Sequence, residues 1–326
     1  MQKNIFITGA AGFIGFHFAK ACLQAGYNVV AIDSFTPYYS QDLKKARAKI
    51  LQDMGLLVQN IDINDARALE EIVQKHAVTH FVHLAAQAGV RYSFTHPEVY
   101  LKTNVDGFLQ VIETCKKYPQ IKLVYASSSS VYGANTKIPF AESDKTDHQT
   151  NIYGVTKKTN ELMAYSYYHL YKMPSIGLRF FTVYGPWGRP DMAYFSFTKA
   201  IVESKPIEVF NEGKCRRDFT YVDDVISAMM AALDRVEGCQ VFNIGNEHPE
   251  FVNDLIELIE KNTSKKAEKI LMPMQQGEIE ETFADITLAK QKLNFLPRIR
   301  LAEGIANFVE WYTKCYTNLD KNYQFS

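Results

Sequence analysis

Short apolar runs alternate along this chain with longer segments in which apolar residues recur every three or four positions. The runs have the length and composition of buried strands, and they cover residues 4–8, 27–33, 57–61, 79–85, 122–127 and 175–180. Residues 16–25 have helical spacing and end before Gly26, a residue suited to the position after a helix. This β-α-β rhythm predicts an α/β fold built on a Rossmann-like doubly wound parallel sheet, with helices on both faces.

The composition of the sequence and the length of its predicted elements change after Arg179. A loop rich in Gly and Pro covers residues 184–191, and shorter elements follow it. We therefore predict a Rossmann domain over residues 1–178, rejoined by about 219–247, and a smaller C-terminal α/β substrate-binding lobe from residues 179–218 and 248–326. Ligands of open α/β sheets bind at the carboxyl ends of the strands, and the motifs described below lie at such ends or in the second lobe.

Composition excludes several kinds of partner and site. Lys plus Arg and Asp plus Glu both total 36, so no basic field points to nucleic acid. The five cysteines include no C-x-x-C pair and the histidines show no ligand spacing, so we predict neither a disulfide framework nor a metal site. The N-terminus shows no signal segment and no apolar run reaches about 18 residues, which predicts a cytoplasmic protein without a membrane span.

Three glycines follow the first strand and open the first helix. Gly9, Gly12 and Gly15 would let the backbone approach a pyrophosphate at the helix N-terminus, although a lone glycine triplet can also be a tight turn without a ligand. Asp33 ends the second strand, where a carboxylate can accept hydrogen bonds from the adenosine ribose. Together these features predict NAD as the cofactor, because Asp33 would repel the 2′-phosphate of NADP.

Two nearby segments leave details of this cofactor site open. Lys44, Lys45 and Arg47 follow in a segment that the sequence alone does not place, and such cations could attract a 2′-phosphate. Asp62 and Ile63 come after the third strand, where they could contact adenine. An aspartate in such a loop can equally cap a helix.

Tyr153 and Lys157 lie four residues apart in a segment with helical spacing. That separation puts the phenol and the ammonium on one helix face. A free tyrosine loses its proton at about pH 10, and a neighbouring ammonium and the positive charge of an oxidised nicotinamide both favour the phenolate. The pair therefore indicates a general base that removes a proton from a hydroxyl group.

With these residues the sequence resembles the extended short-chain dehydrogenase/reductase superfamily. The shared pattern is the glycine-rich turn, the serine run of residues 127–130, Tyr-x-x-x-Lys, and the stretch of residues 217–224. The resemblance implies that Ser128 orients a substrate hydroxyl, that Tyr153 is the base, and that Lys157 holds the nicotinamide ribose and lowers the phenol pKa. It also implies cofactor contacts from Phe13, Ile14, Leu84, Ala85, Ala86 and Asn104.

Two serines narrow the reaction within that superfamily. Nucleotide-sugar 4,6-dehydratases carry an Asp-Glu pair after the active-site threonine, and the decarboxylases carry a glutamate there, whereas this chain has Ser129 and Ser130. Without a carboxylate at this place, proton transfer at the sugar C5 lacks its usual agent. Oxidation and re-reduction at C4 need no such group, so the pattern favours a 4-epimerase.

The stretches of residues 86–93 and 180–192 resemble UDP-glucuronate 4-epimerases. They resemble UDP-galactose 4-epimerases less well, since the usual asparagine of those enzymes is replaced by Thr182. The resemblance implies C4 epimerisation of a UDP-hexuronate, with Arg189 and Thr182 at the C6 carboxylate, which suits the planar fork of an arginine. An internal salt bridge is the alternative for Arg189.

The same resemblance implies further contacts with the UDP-sugar. Arg217 lies in the stretch that reaches the UDP phosphates, and a pyrophosphate needs such a cation in a nearly neutral protein. Arg91 is a second candidate, although it could instead join the two lobes. The other implied substrate contacts are Gln87, Ser127, Ser128 and Ser129.

Three other functions fit parts of this pattern. One is a 4-epimerase of UDP-N-acetylglucosamine or UDP-glucose. Another is a UDP-uronate decarboxylase, which Ser129 and Ser130 disfavour. The third is a non-catalytic NAD-binding regulator, which the presence of Ser128, Tyr153 and Lys157 disfavours.

Two long amphipathic segments bear on the oligomeric state. Residues 99–117 and 153–171 resemble the helices through which relatives form homodimers. Phe108, Ile112, Tyr167 and Tyr168 could supply the apolar face of such a contact, or they could pack inside one chain.

Overall fold

The computed structural model describes residues 2–274 and 280–317. Its strands in chain order are β1 (Asn4–Thr8), β2 (Asn28–Asp33), β3 (Val58–Asn60), β4 (His80–His83), β5 (Lys122–Ser128), β6 (Ser175–Phe180), β7 (Thr182–Tyr184), β8 (Ile207–Phe210), β9 (Arg216–Tyr221), β10 (Cys239–Ile244), β11 (Pro249–Phe251), β12 (Lys269–Met272) and β13 (Glu281–Thr282). Its α-helices are α1 (Phe13–Gln24), α2 (Gln41–Asp53), α3 (Ala66–His76), α4 (Pro97–Tyr100), α5 (Gly107–Lys117), α6 (Ile152–Tyr171), α7 (Ala193–Val202), α8 (Val222–Leu233), α9 (Val252–Thr263), α10 (Thr287–Leu293) and α11 (Leu301–Trp311). Shorter 3₁₀ turns cover Arg91–Phe94, Ser129–Tyr132 and Asn211–Gly213, and π-helical turns cover Leu101–Asp106 and Tyr312–Tyr316.

Seven parallel strands form the main sheet, in the order β10-β6-β5-β4-β1-β2-β3. The chain builds one half of the sheet outward from β1 and then returns to build the other half, which is the doubly wound arrangement. The predicted fold class is therefore confirmed. The six predicted strand runs correspond to β1 to β6, and their ends differ from the observed ones by at most two residues.

The first strand shows why these runs are apolar throughout. Ile5 and Ile7 pack into a cluster on one face of the sheet, and Phe6 packs into a second cluster on the other face. The ring centroid of Phe6 lies 4.5 Å from that of Phe81 on the neighbouring strand. Side chains alternate between the two faces of a strand, and because helices cover both faces, neither set of side chains needs to be polar.

The smaller lobe is organised around β9, which pairs with β7, β11 and β13. The strands β8 and β12 form a separate pair, and α7, α9 and α11 pack together beside these strands. The chain then returns to the main sheet, where β10 pairs with β6. This return lies inside residues 219–247, the segment predicted to rejoin the Rossmann domain, while the full division into domains stays a prediction.

Two helices differ from their predicted bounds. The helix predicted at residues 16–25 begins earlier, at Phe13, because the glycine-rich turn leads directly into it. The segment predicted as one helix at residues 99–117 contains the end of α4, the π-helical turn Leu101–Asp106, and α5. Such π-helical turns are rare and occur mostly as short interruptions of α-helices, and the apolar spacing of this segment did not indicate one.

Membrane-spanning elements can be assessed for the described part of the chain. Within residues 2–274 and 280–317, no helix is both long enough and apolar enough to cross a bilayer.

Candidate active site

A cavity of about 440 Å³ lies at the carboxyl ends of β1, β2, β4 and β5. Most of the residues predicted to contact a cofactor or substrate line it. They are Gly9, Gly12, Phe13, Ile14, Gly15, Asp33, Asp62, Ile63, Leu84, Ala85, Ala86, Gln87, Ser127, Ser128, Tyr153, Lys157 and Arg189.

The turn between β1 and α1 has no room for side chains at its glycines. Gly9 has a φ of +72°, and a Cβ there would lie 2.7 Å from the backbone nitrogen of Ala85. A Cβ on Gly15 would lie 2.1 Å from the carbonyl oxygen of Gly9. This tight turn leaves backbone atoms and the N-terminus of α1 along the cavity wall, which fits the pyrophosphate of a dinucleotide.

Asp33, the last residue of β2, lines one end of this cradle. Its Oδ2 accepts a hydrogen bond from the Ala11 amide at 3.0 Å, and its Oδ1 accepts one from the Phe35 amide at 2.8 Å. Each oxygen keeps a lone pair for a ribose hydroxyl. Lys44 also lines the cavity, but its ammonium donates to the carbonyl and hydroxyl oxygens of Thr36 at 2.8 and 3.0 Å. The cradle therefore fits NAD, whose ribose presents hydroxyls to Asp33.

Tyr153 lies in the first turn of α6, next to Ser128 at the end of β5. Burial raises the pKa of its phenol, while a hydrogen bond with Ser128 and the positive charge of Arg189 lower that pKa. The Ser128 hydroxyl also accepts a hydrogen bond from the Ser130 amide at 3.1 Å. The phenol thus shares a buried site with a hydroxyl and a guanidinium, both of which favour its deprotonated form.

Lys157 lies one turn further along α6, and only 2% of it is exposed. Its ammonium donates to the carbonyl oxygen of Ala126 at 2.9 Å, and burial lowers its pKa to about 8. In this structure Arg189 is the cation that lowers the Tyr153 pKa. The predicted influence of Lys157 on that pKa therefore stays a prediction.

Behind the serine run lies a buried ion pair that sequence reasoning missed. Glu161 accepts two hydrogen bonds from Arg179, both at 2.8 Å, and one from the Ser127 hydroxyl at 2.7 Å. Ser127 is thereby tied to the protein interior, and its substrate contact stays a prediction. A signal was available, because Glu161 continues the four-residue spacing of Tyr153 and Lys157 and so lies on the same face of α6.

Arg189 lines the cavity and forms an ion pair with Asp191. Its Nε and Nη2 donate to the two carboxylate oxygens at 3.0 and 2.5 Å, and Tyr38 donates to Asp191 Oδ2 at 3.1 Å. Burial raises the pKa of Asp191, but the charge of Arg189 and the hydrogen bonds from Arg189 and Tyr38 together hold that pKa below its usual value. This salt bridge occupies one edge of the guanidinium, and no described residue hydrogen-bonds its Nη1 group.

Asn104 has a different environment from the cofactor contact predicted for it. It is 1% exposed and does not line the cavity. Its Oδ1 accepts from the Gln87 amide at 2.8 Å, and its Nδ2 donates to the Gln87 carbonyl and to Thr156, both at 3.0 Å. These bonds fix the loop after β4 to α6.

Four predicted substrate contacts also lie outside the cavity lining. The Arg91 guanidinium is 5.2 Å from the centroid of the Phe210 ring in the smaller lobe, which matches the alternative of a lobe-joining residue. Arg217 donates to the carbonyl oxygens of Arg216 and Glu280 at 2.9 and 3.1 Å. Ser129 follows Ser128 in a 3₁₀ turn, and Thr182 begins β7 between two lining residues. Their roles as substrate contacts stay predictions.

Tyr38 and Asp191 are site residues that sequence reasoning missed. Tyr38 lines the cavity from the loop after β2, and Asp191 follows two residues after Arg189. The proximity of Asp191 to Arg189 in the chain was a usable signal for a local ion pair.

A metal site was also sought among the described residues. Within residues 2–274 and 280–317, no group of three His, Cys, Asp or Glu side chains could hold a metal ion.

Comparison with known proteins gives these observations a context. Residues 5–245 match the model of the NAD dependent epimerase/dehydratase family. Over 332 residues the chain is 44% identical to UDP-glucuronate 4-epimerase 4 of Arabidopsis thaliana, a match that covers 96% of this chain and 76% of that protein.

Two solved structures resemble the fold to nearly the same degree. One is UDP-glucuronic acid 4-epimerase from Bacillus cereus in complex with UDP-glucuronic acid and NAD, with a TM-score of 0.89, 34% identity, and coverage of 96% of this chain and 100% of that one. The other is UDP-glucose 4-epimerase from Thermotoga maritima with UDP-glucose, with a TM-score of 0.88, 30% identity, and coverage of 96% and 99%. Because both share the fold, the choice of sugar has to be argued from the residues of the cavity.

Proposed function

Since this chain belongs to the NAD dependent epimerase/dehydratase family, we propose that it interconverts UDP-glucuronate and UDP-galacturonate by inverting C4 of the sugar. The proposal is carried by one observation: Arg189 lines the same cavity as Ser128 and Tyr153. A base suited to a hydroxyl and a cation suited to a carboxylate are thereby placed in one site. The relatives that act as UDP-glucuronate 4-epimerases support the same substrate.

The residues of the chain divide the reaction between them. The glycine-rich turn and Asp33 would hold NAD, which would supply an acceptor for the hydride of the sugar C4 and, once reduced, a hydride donor to the opposite face of that carbon. Tyr153 takes the O4 proton as the hydride leaves, so a 4-keto sugar forms, and it gives the proton back after the ring has turned over. Ser128 holds O4 beside the phenol, and Lys157 holds the nicotinamide ribose. Oxidation and reduction cancel, so no external reductant is consumed.

Retention of the carboxylate is a separate requirement. The 4-keto uronate is a β-keto acid, which loses carbon dioxide readily when the bond to its carboxylate is aligned for cleavage. Arg189 and the hydroxyl of Thr182 hold that carboxylate in place. Ser129 and Ser130 offer no carboxylic acid to protonate the carbon that cleavage would leave. The product is therefore a hexuronate and not a pentose.

A second candidate function is the 4-epimerisation of a neutral UDP-sugar. The salt bridge between Arg189 and Asp191 favours it, because Asp191 already satisfies one edge of the guanidinium. The similarity to the UDP-glucose 4-epimerase of Thermotoga maritima points the same way. In this alternative Arg189 would only form the salt bridge with Asp191 in its own loop and would not bind the substrate.

The product of the reaction tests both candidates. The purified protein is incubated with UDP-glucuronate and no added reductant, and the sugars are followed by proton NMR. We expect UDP-galacturonate to appear without any UDP-pentose. Turnover of UDP-glucose or UDP-N-acetylglucosamine, with UDP-glucuronate left unchanged, would establish the second candidate, and substantial pentose would refute the proposed role of Arg189 and Thr182.

We also propose that the protein forms a homodimer through α5 and α6. Two residues considered for the contact, Phe108 and Ile112, are fully buried in the core of the chain, which is the alternative that the sequence left open for them. Apolar side chains exposed on these two helices can supply the contact instead: Leu109 is 38% exposed, Leu162 55%, Tyr165 63% and Leu170 65%.

A charge placed on this face is expected to separate the subunits. Leu162→Glu would bury a carboxylate at the centre of the contact, so the variant should run as a 37.2 kDa monomer while the unchanged protein runs as a dimer. Light scattering coupled to size-exclusion chromatography measures both masses. Leu57→Glu is the control, because Leu57 is 65% exposed at a distant edge of the sheet. A monomeric unchanged protein would end this proposal.

A further inference from the structure

Three consecutive carbonyl groups in the loop before Arg189 accept hydrogen bonds from the Rossmann domain. The carbonyl of Pro186 pairs with His17 Nε2 at 2.9 Å. Those of Trp187 and Gly188 accept from Arg47 Nη2 at 2.6 and 2.9 Å. The donors lie on α1 and α2, and α1 directly follows the glycine-rich turn, so these hydrogen bonds connect the loop to the cofactor side of the molecule.

Arg47 joins the loop to the cofactor cradle itself. Its Nη1 donates to the carbonyl oxygen of Ala11 at 3.0 Å and to the Tyr39 hydroxyl at 2.8 Å. Ala11 belongs to the glycine-rich turn, and its amide is the group that donates to Asp33. A single guanidinium therefore connects the turn that cradles the dinucleotide with Trp187, two residues before Arg189.

Burying the Arg47 guanidinium at this place costs free energy, which indicates that the residue has a specific role. The residue is fully buried, and its hydrogen-bond acceptors are all neutral oxygens. Within residues 2–274 and 280–317 no carboxylate forms an ion pair with it, and its Nε has no partner. A buried cation without a counterion is costly, and hydrophobic residues of similar volume would fill the same space without that cost.

His17 also contributes a hydrogen bond that holds this loop. Burial lowers its pKa to about 4, so the imidazole is neutral at physiological pH and carries one N–H. The contact with the Pro186 carbonyl requires that N–H to be on Nε2. The loop itself needs such support, because Trp187 adopts a left-handed conformation with φ +59°, which is unfavourable for a bulky side chain.

We propose that Arg47 and His17 are positioning residues, which hold the loop of residues 186–188 against the cofactor cradle and so place Arg189 for the substrate carboxylate. This inference rests on the proposed function, because it assumes that Arg189 meets a carboxylate. It adds that the carboxylate site is set by contacts from the Rossmann domain across the lobe boundary. Binding of the uronate should then depend on residues that never touch it.

The test compares two ligands that differ only in the sugar. UDP-glucuronate and UDP are titrated calorimetrically into NAD-loaded protein carrying Tyr153→Phe, which suppresses turnover. Arg47→Met, which keeps the unbranched side chain as far as the position of Nε and removes the donors, should weaken binding of UDP-glucuronate about tenfold, since hydrogen bonds that place a charged group are lost. Binding of UDP should weaken less than about twofold, because UDP lacks the sugar carboxylate. Arg67→Met is the matched control, on an arginine whose side chain is 89% exposed.

A pair of variants at His17 keeps the test decisive if Arg47→Met does not fold. Gln places its Nε2 as many bonds from the backbone as His does, so His17→Gln should retain tight binding of UDP-glucuronate. His17→Phe has no donor and should weaken it several-fold, again without an equal effect on UDP. A purely structural role would lower the melting temperature and the number of binding sites, and leave the preference for UDP-glucuronate over UDP unchanged.

The outcomes separate this inference from the proposed function. If the parent protein binds UDP-glucuronate no better than UDP, the carboxylate site itself is wrong, and with it the function. If the parent shows the preference and both Arg47→Met and His17→Phe keep it in full, the function stands and the positioning role is refuted. Equal weakening of both ligands would likewise refute it.

Discussion

Tyr153→Phe is expected to lower kcat for UDP-glucuronate by about 10²–10⁴-fold, the usual contribution of a positioned general base. The change removes only the hydroxyl that takes the O4 proton, and it keeps the ring that packs 6.1 Å from the ring of Tyr100. Binding of UDP-glucuronate should therefore change little. Steady-state turnover followed by NMR, together with calorimetric titration, measures the two quantities separately.

The matched control is the loss of a hydroxyl from another tyrosine in the same cavity. Tyr92 lines it and stacks on His96 with ring centroids 4.1 Å apart, so Tyr92→Phe should leave kcat within about threefold of the unchanged protein. If Tyr153→Phe also stayed within that range, another group would be the base. If the unchanged protein also showed no turnover at all, the hypothesis of a non-catalytic NAD-binding regulator would regain support.

The environment of Tyr153 fixes the sign of the pH dependence. Burial raises the pKa of the phenol, and the base works only when deprotonated, so kcat should rise with pH up to the effective pKa of Tyr153. Ser128 lowers that pKa by its hydrogen bond. Ser128→Ala should therefore move the rising limb of the pH profile to higher pH, and an unshifted limb would remove Ser128 from this role.

The sequence was most informative where neighbouring residues in the chain decide the structure. Buried strands, the glycine-rich turn and the spacing of Tyr153 and Lys157 depend on local geometry, and the structure brings them to one cavity. Long side chains on loops were harder to place. Arg91 and Arg217 belong to motifs that imply ligand contacts, yet their guanidinium groups meet an aromatic ring and backbone carbonyls.

Contacts between distant segments were not predictable from one sequence. Arg47 and Trp187 are 140 residues apart, and no spacing or composition marks them as partners. The sequence left Arg47 as a possible attractant for a 2′-phosphate, whereas in the structure its buried guanidinium donates to four oxygens, those of Ala11, Tyr39, Trp187 and Gly188. Such pairings arise only once the lobes have packed.

The second large effect is expected for Arg189→Met, which should lower kcat/KM for UDP-glucuronate by about 30-fold to several thousandfold. This range corresponds to the roughly 2–5 kcal/mol lost when one partner of a buried, hydrogen-bonded charge pair is removed. Two losses combine, because Arg189 is the proposed partner of the carboxylate and its charge also lowers the Tyr153 pKa. The rising limb of the pH profile should therefore move to higher pH as well.

Asp191 complicates that experiment, and a double variant resolves it. In Arg189→Met the Asp191 carboxylate would remain without its main partner and would repel the substrate carboxylate. Arg189→Met with Asp191→Asn removes this repulsion. If repulsion were the whole effect, the double variant would recover the activity of Asp191→Asn alone; if Arg189 binds the substrate, it stays impaired towards UDP-glucuronate and binds UDP normally.

The variants at Arg189 and Asp191 also show which edge of the Arg189 guanidinium is available to the substrate carboxylate. Asp191 holds Nε and Nη2, so a substrate carboxylate that arrives without displacing it must meet the Nη1 side. Asp191→Asn keeps the shape of that arrangement and removes one negative charge, so it should retain turnover of UDP-glucuronate if Asp191 only orients the arginine. Unchanged uronate turnover in Arg189→Met would instead assign Arg189 to its own loop, and the selectivity for a carboxylate would have to come from elsewhere in the cavity.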